Sequence, residues 1–349
     1  MATRREILGG LAVGLGTLAC RRAWAQPAEG AAYVGIETSA ATGLSRASFF
    51  SATGARLAGV PLDFRAHGLA EAGPLLVVFP RRPGDRFAVV DRATLEIRRV
   101  VIAPEGRHFY GHGSFARDGT TLVVPENDLK TLQGALAIYD LSGAPRRLGH
   151  VALPGAGPHE IIRVPGRDVF HVALGGLETH PDYGRTPLNL GTFRSEVLTF
   201  DHARGEVTPM GHWAGTGGVS LRHLALGADG VLTVGGQVVE TDGAARDVLW
   251  QVTPRGAEIV ESAGALGGYV SSVAASGARV YVTSKKTHRI LTLSGGEIIE
   301  NQGATGASAV AAEGSLHAAS GYGELFIGAH RSAALSGHEF DNHGLMLRL

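Results

Sequence analysis

Apolar and polar residues alternate along this chain in short stretches that turn residues separate. Stretches such as LLVVFP, ALAIYD and VLTVGG are rich in apolar and β-branched residues, and polar or glycine residues follow them. This pattern predicts short β-strands joined by tight turns, and helical periodicity is almost absent. The 51 glycines and the 6% share of aromatic residues also favour an all-β chain.

The strand pattern repeats. In each repeat the same position is the first residue of a short apolar strand, and we call this residue the opener. Five of these strands open with histidine: His67, His112, His159, His223 and His343. Two more open with serine, at Ser272 and Ser308. The offsets between successive openers are 45, 47, 64, 49, 36 and 35 residues, close to the length of a four-stranded propeller blade. The sequence therefore predicts a seven-bladed β-propeller over residues 26–349.

The seventh blade is predicted to be split between the two ends of the chain. Its innermost strand is DNHGLMLRL at the C-terminus, and its outer strands are AYVGIETS, ASFFSATGA and the segment up to Leu62. Pairing the two ends closes the ring without a free sheet edge. A pair of β-sandwiches is the alternative fold, but it does not explain seven openers in phase.

The openers are the strongest candidates for chemistry. The innermost strand of a propeller blade lines the central channel, so the five histidines are expected to surround one axis. Neutral imidazole suits iron, copper and zinc, and the five are therefore predicted metal ligands, with Glu126 in support. Two alternatives stay open at this point: a purely structural role in holding the blades, and the binding of an anion or small ligand.

Loops at the same end of the channel carry further polar residues. The predicted ligand-binding set is His108, Asn127, Glu160, His180, Arg81, Arg107, Arg185, Arg222 and Gln237. Its arginines suit carboxylate or phosphate groups, because guanidinium forks match their geometry. Strand alternation predicts that Glu160 points away from the channel, and that only one of Arg222 and His223 faces it. The insertion at 178–195 is predicted to be a functional lid or a surface excursion.

The N-terminus has the pattern of an export signal. Arg4 and Arg5 precede a short apolar stretch, and Ala23-Trp24-Ala25 is typical of a cleavage site. We expect residues 1–25 to be a twin-arginine-type signal peptide and the mature protein to be periplasmic, without stable membrane insertion. Cys20 is the only cysteine, and it would leave with the signal, so no thiolate ligand is expected.

Charge and motifs exclude several classes of protein. The formal net charge is zero, so the basic surface that nucleic-acid binding requires is not expected. A Walker loop, a GxSxG elbow and a dinucleotide fingerprint are absent from the sequence. We therefore expect no nucleotide cofactor, and hydrolase chemistry has no support.

Six segments resemble one protein family. They are GRHFYGHG, PENDL, GPHE, LETHPDYGRTPLNLGT, LRHLA and FDNHG, and together they resemble the exported bacterial family called domain of unknown function 1513. The resemblance implies a propeller of the WD40/YVTN-like class outside the cytoplasm. It also implies a role in iron acquisition, because genes of the family often neighbour imelysin-type and dihaem-peroxidase-like genes. Imelysin-like iron-uptake proteins are thus the expected partners.

These observations favour a monomeric periplasmic metal-binding propeller that handles iron or copper. One alternative is a non-catalytic scaffold that docks an iron-uptake partner. Another is a metal-dependent redox enzyme. A calcium-dependent lactonase is disfavoured, because calcium takes oxygen ligands and the predicted channel is rich in imidazole.

Overall fold

Seven antiparallel sheets, each with four successive strand positions, follow one another along the chain in the computed structural model. The structure describes residues 30–211, 217–239, 245–253, 256–260, 262–314, 316–328, 330–331 and 337–347. The sheets are the blades of a β-propeller, which confirms the predicted fold. The predicted signal peptide lies outside the described residues.

In blades 1 to 6 the strands run outward from the channel in chain order. Blade 1 consists of β4 (Ala66–Ala72), β5 (Leu75–Pro80), β6 (Arg86–Asp91) and β7 (Ile97–Ile102). Blade 2 consists of β8 (Arg107–Phe109) and β9 (Ser114–Phe115), which share the innermost position, then β10 (Thr121–Asp128), β11 (Gly134–Asp140) and β12 (Arg146–Ala152). Blade 3 consists of β13 (Pro158–Arg163), β14 (Val169–Leu174), β15 (Glu196–Asp201) and β16 (Glu206–Pro209).

Blades 4 to 6 have the same order. Blade 4 consists of β17 (Val219–Leu226), β18 (Leu232–Val238), β19 (Leu249–Thr253) and β20 (Gly256–Ile259). Blade 5 consists of β21 (Ser272–Ser276), β22 (Arg279–Ser284), β23 (Arg289–Ser294) and β24 (Glu297–Gly303). Blade 6 consists of β25 (Ala309–Glu313), β26 (Leu316–Ser320), β27 (Leu325–Ile327) and β28 (His330–Arg331). Within the described ranges, the helical segments are a 3-10 turn (Pro181–Tyr183) and α1 (Ala263–Leu266).

The closing blade joins the two ends of the chain, as predicted. Its innermost strand is β29 (His338–Met346), which pairs with β1 (Ala31–Ser39), and β2 (Ser45–Ser51) and β3 (Arg56–Pro61) lie outside them. One side of this blade packs on blade 6 through Tyr33 and Phe50, and the other packs on blade 1 through Ile36. The ring is therefore closed by apolar burial on both sides of the blade as well as by backbone pairing.

The innermost strands of the five histidine blades carry extra residues at the opener. Between the pairs Ala66↔Pro80 and Leu69↔Val78, β4 has two residues where β5 has one. One extra residue also lies beside the opener in β13 and in β17. Two extra residues lie there in β29 and between β8 and β9. The two serine blades pair residue by residue, without such a bulge.

In the described part of the chain, no helix combines the length and the apolar character that crossing a bilayer requires.

Candidate metal centre

The five opener histidines meet in the channel and form what we call the histidine hub (His67, His112, His159, His223 and His343). All five are buried. The ring centroids of His112 and His343 are 4.4 Å apart, and those of His67 and His343 are 4.9 Å apart. The centroid of His223 lies 5.1 Å from that of His343 and 5.2 Å from that of His159. A bulge re-aims the side chain beside it, and five bulges at the same place point five imidazoles at one another.

Glu160 also faces the hub, so the expectation that it points away is wrong. Its Oε2 lies 3.3 Å from Nδ1 of His223, and its Oε1 lies 4.0 Å from Nδ1 of both His112 and His343. The bulge in β13 lies between Pro158 and Ile161, and it breaks the alternation on which that expectation rested. Burial raises the pKa of Glu160. One carboxylate, that of Glu160, thus lies beside the hub histidines.

Asp341 orients His67, and sequence reasoning missed it. Its carboxylate is hydrogen-bonded to Nδ1 of His67 and accepts a hydrogen bond of 2.9 Å from Arg81. Burial alone would raise the pKa of Asp341, but the interactions with His67 and Arg81 hold it well below its usual range. A carboxylate on Nδ1–H fixes the tautomer and leaves the lone pair on Nε2. The signal was in the sequence: Asp341 lies two residues before the opener His343.

Two overlapping sets of hub groups could hold a metal ion. His67, His112 and His343 form one set, and Glu160, His223 and His343 form the other. In each set, the candidate ligand atoms all lie within 4.8 Å of one another. Ligand atoms bound to one ion at about 2.0–2.2 Å are separated by roughly 3–4 Å, which is close to the spacing in either set. Within the described residues, His159 belongs to neither set.

His112, His159, His223 and His343 favour the neutral form that a metal requires. Burial, followed by the fields of neighbouring histidines, lowers the pKa values of His112, His159 and His223 well below the usual value. Burial lowers the pKa of His343 to about 3. Nε2 of His112, Nε2 of His343 and Nδ1 of His159 are buried and make no hydrogen bond within the described structure. Each therefore presents a nitrogen to the channel without a protein partner.

A cavity of about 490 Å³, here called the mouth, lies above the hub. The side chains of interest that line it are His67, His159, His223, Arg81, Arg82, Arg185, Arg222, Gln237, Tyr269 and Asn342. Arg222 and His223 both line the mouth, which corrects the expectation that only one of them would face the channel. Arg222 is the extra residue of the bulge in β17. Burial and the positive charge of Arg82 lower the pKa of Arg222.

A second cavity, of about 860 Å³, lies at the other end of the innermost strands. His112, Glu160 and His343 line it together with Glu71 and Ser272. The hub therefore separates two cavities and is open to both.

The predicted insertion contributes one arginine to the mouth. Asn127 donates a hydrogen bond to the carbonyl of Thr179, and the Tyr110 hydroxyl lies 2.9 Å from Oγ1 of Thr179. These contacts anchor the start of the insertion, and Arg185 then lines the mouth. His180 lies outside the hub and caps the 3-10 turn, where its Nδ1 accepts a hydrogen bond from the Asp182 backbone. Asn127 is thus a positioning residue in this structure.

Three other predicted residues lie away from the hub. Glu126 is buried on β10 and pairs with Arg107 at 2.7 Å and with Arg147 of the outermost strand. The structure brings neither Glu126 to the hub nor Arg107 to the mouth, because the Glu126 carboxylate is held between Arg107 of β8 and Arg147 of β12. His108 is buried beside Tyr110, and burial, with the charge of Arg82, lowers its pKa to about 4.

Fold and site together define a β-propeller with a histidine-lined channel. Residues 60–347 match the model of the family described as "Protein of unknown function (DUF1513)". The chain belongs to this family, as the motifs predicted.

Two solved structures show the same fold at low identity. Hydrazine synthase from Kuenenia stuttgartiensis is similar with a TM-score of 0.61 and 15% identity, over 85% of this chain and 94% of that chain. A chain of the nidogen/laminin complex is similar with a TM-score of 0.51 and 11% identity, over 78% and 93% of the two chains. No curated protein matches this chain.

Proposed function

We propose that this protein is a periplasmic metal-binding propeller that handles iron or copper, with the histidine hub as the binding site. The observation that carries the proposal is the convergence of imidazoles from five blades around buried nitrogens without protein partners. An unsatisfied buried polar atom costs about 1–3 kcal/mol. A bound ion offsets that cost, and without an ion these nitrogens need another hydrogen-bond partner.

The donor set supports a transition metal. Imidazole nitrogen with one carboxylate suits iron, copper and zinc, whereas calcium and magnesium take oxygen ligands. Glu160 supplies the single carboxylate, and Asp341 holds His67 in the tautomer that binds a metal through Nε2. His343 belongs to both sets, so we assign it the central role.

The cellular part of the proposal comes from the sequence. The Arg4-Arg5 pair and the cleavage pattern before Gln26 support export. Twin-arginine export suits proteins that fold or acquire a cofactor before they cross the membrane. An imelysin-like iron-uptake protein is the partner we propose.

Metal binding by the purified protein tests the proposal. We expect near-stoichiometric binding of Fe(II), Cu(II) or Zn(II) in calorimetric titrations of protein stripped with a chelator, with the same metal found by elemental analysis before stripping. His343→Ala removes a member of both sets and is expected to abolish this binding. His171→Ala is the matched control, because His171 is also a buried histidine but lies on β14.

Two results would contradict the proposal. One is the absence of tight binding of any of the three metals to the folded wild-type protein. The other is equal binding by wild type and His343→Ala, which would place the metal elsewhere. Circular dichroism of each variant shows whether the propeller is retained.

A further inference from the structure

The mouth carries three arginines that pair with no carboxylate among the described residues. Arg81 pairs with Asp341. Arg82, Arg185 and Arg222 also line the mouth, and they form no ion pair with an acid in the part of the chain that the structure describes. Among the described residues, Nε of Arg222 is buried without a hydrogen-bond partner, whereas the Arg82 and Arg222 side chains as a whole are half-buried and Arg185 is exposed. A cleft lined by charges of one sign concentrates ligands of the opposite sign, so this arrangement favours an anionic ligand.

The three arginines reach the mouth from three different parts of the ring. Arg82 follows β5 in blade 1, Arg185 belongs to the insertion of blade 3, and Arg222 lies in the bulge of blade 4. A ligand with several separated anionic groups can use all three, because each guanidinium fork matches one planar carboxylate.

The volume of the mouth and the uncharged polar groups in its wall both suit a small organic ligand. The mouth encloses about 490 Å³, which falls in the usual range for small-molecule sites. Gln237, Tyr269 and Asn342 add uncharged hydrogen-bonding groups to its wall. Burial and the positive charges of Arg81 and Arg82 lower the pKa of Arg185, as expected for arginines that repel one another.

We propose that the mouth binds a small polycarboxylate anion through Arg82, Arg185 and Arg222, directly above the histidine hub. Binding of the anion depends on the arginines and does not require a metal. Polycarboxylates also chelate transition metals, so the same anion would present an ion to the hub. Only this last step rests on the proposed function.

Citrate is the probe that tests the proposal. In calorimetric titrations, we expect citrate to bind the metal-free protein with one site per chain, and more weakly as salt is raised. Arg82→Gln and Arg185→Gln are each expected to raise the dissociation constant about tenfold or more, because each removes a charged hydrogen-bonding group. Arg204→Gln is the control, since it removes the same charge from an exposed turn of blade 3.

The outcomes separate this proposal from the proposed function. Citrate binding that survives His343→Ala supports an anion site that is independent of the metal. No citrate binding to folded, metal-free wild type overturns the proposal, as does citrate binding that Arg82→Gln and Arg185→Gln leave unchanged. If inorganic phosphate binds as tightly as citrate, the assignment to a polycarboxylate is wrong.

Discussion

Replacing Asp341 by Asn tests how the hub prepares His67 for a metal. The carboxylate is almost fully buried, is hydrogen-bonded to Nδ1 of His67 and pairs with Arg81 at 2.9 Å. Asparagine keeps the size but removes the charge, and its amide no longer holds one tautomer of the ring. Loss of such an outer-sphere carboxylate typically lowers metal affinity 10- to 100-fold, which corresponds to about 1.4–2.7 kcal/mol.

The structure also limits the size of this effect. His67 belongs to only one of the two metal-capable sets, whereas His343 belongs to both. We therefore expect Asp341→Asn to weaken binding and His343→Ala to abolish it. Calorimetric titration with Cu(II) or Zn(II) gives the affinities, and ¹⁵N NMR of His67 reports its tautomer.

The control for this experiment is Asp140→Asn. Asp140 lies on β11 and pairs with the exposed Arg146, away from the hub. A folded Asp341→Asn protein with a metal affinity within about twofold of wild type, that is about 0.4 kcal/mol, would refute the reasoning. It would mean that His67 is not a ligand or does not depend on its carboxylate.

Three further predictions follow from the packing and electrostatics of the channel. The metal-free protein should lose stability as the pH falls from about 6.5 toward about 3, because the hub histidines with lowered pKa bind fewer protons than in the unfolded chain. As the pH falls, each of these histidines lowers the free energy of unfolding by up to about 1.4 kcal/mol per pH unit. The raised pKa of Glu160 partly offsets this loss. Urea midpoints that do not change with pH would contradict this prediction. Gly68→Ala should cost about 1–3 kcal/mol and weaken metal binding, because a Cβ at Gly68 would lie 2.2 Å from the Gly111 carbonyl oxygen. Gly149→Ala, with nothing within 4 Å, is its control in the same denaturation assay, and equal midpoints for the two variants would refute the steric argument. Arg222→Met should stabilise the ligand-free protein by about 1–2 kcal/mol, because it removes a half-buried charge that pairs with no acid among the described residues and whose Nε is buried without a hydrogen bond. A lower melting temperature would show that Arg222 is satisfied in the native state.

The sequence by itself determined the number of blades, the closure of the ring and the family. These follow from local patterns: alternation within strands, the spacing of the seven openers and the motifs around them. The repeated position of His67, His112, His159, His223 and His343 was also sufficient to predict that they surround one axis. Periodicity carries this information because each blade is built from consecutive strands.

The tertiary structure alone decided which neighbouring residues join the histidines. Glu160 and Arg222 face the channel, and Asp341 reaches His67, because bulges add residues to the innermost strands. A bulge is defined by pairing with the next strand, so a period of two read along one strand cannot reveal it. The same reason explains Glu126: its neighbours Arg107 and Arg147 come from other strands of the blade, and they direct its carboxylate away from the hub.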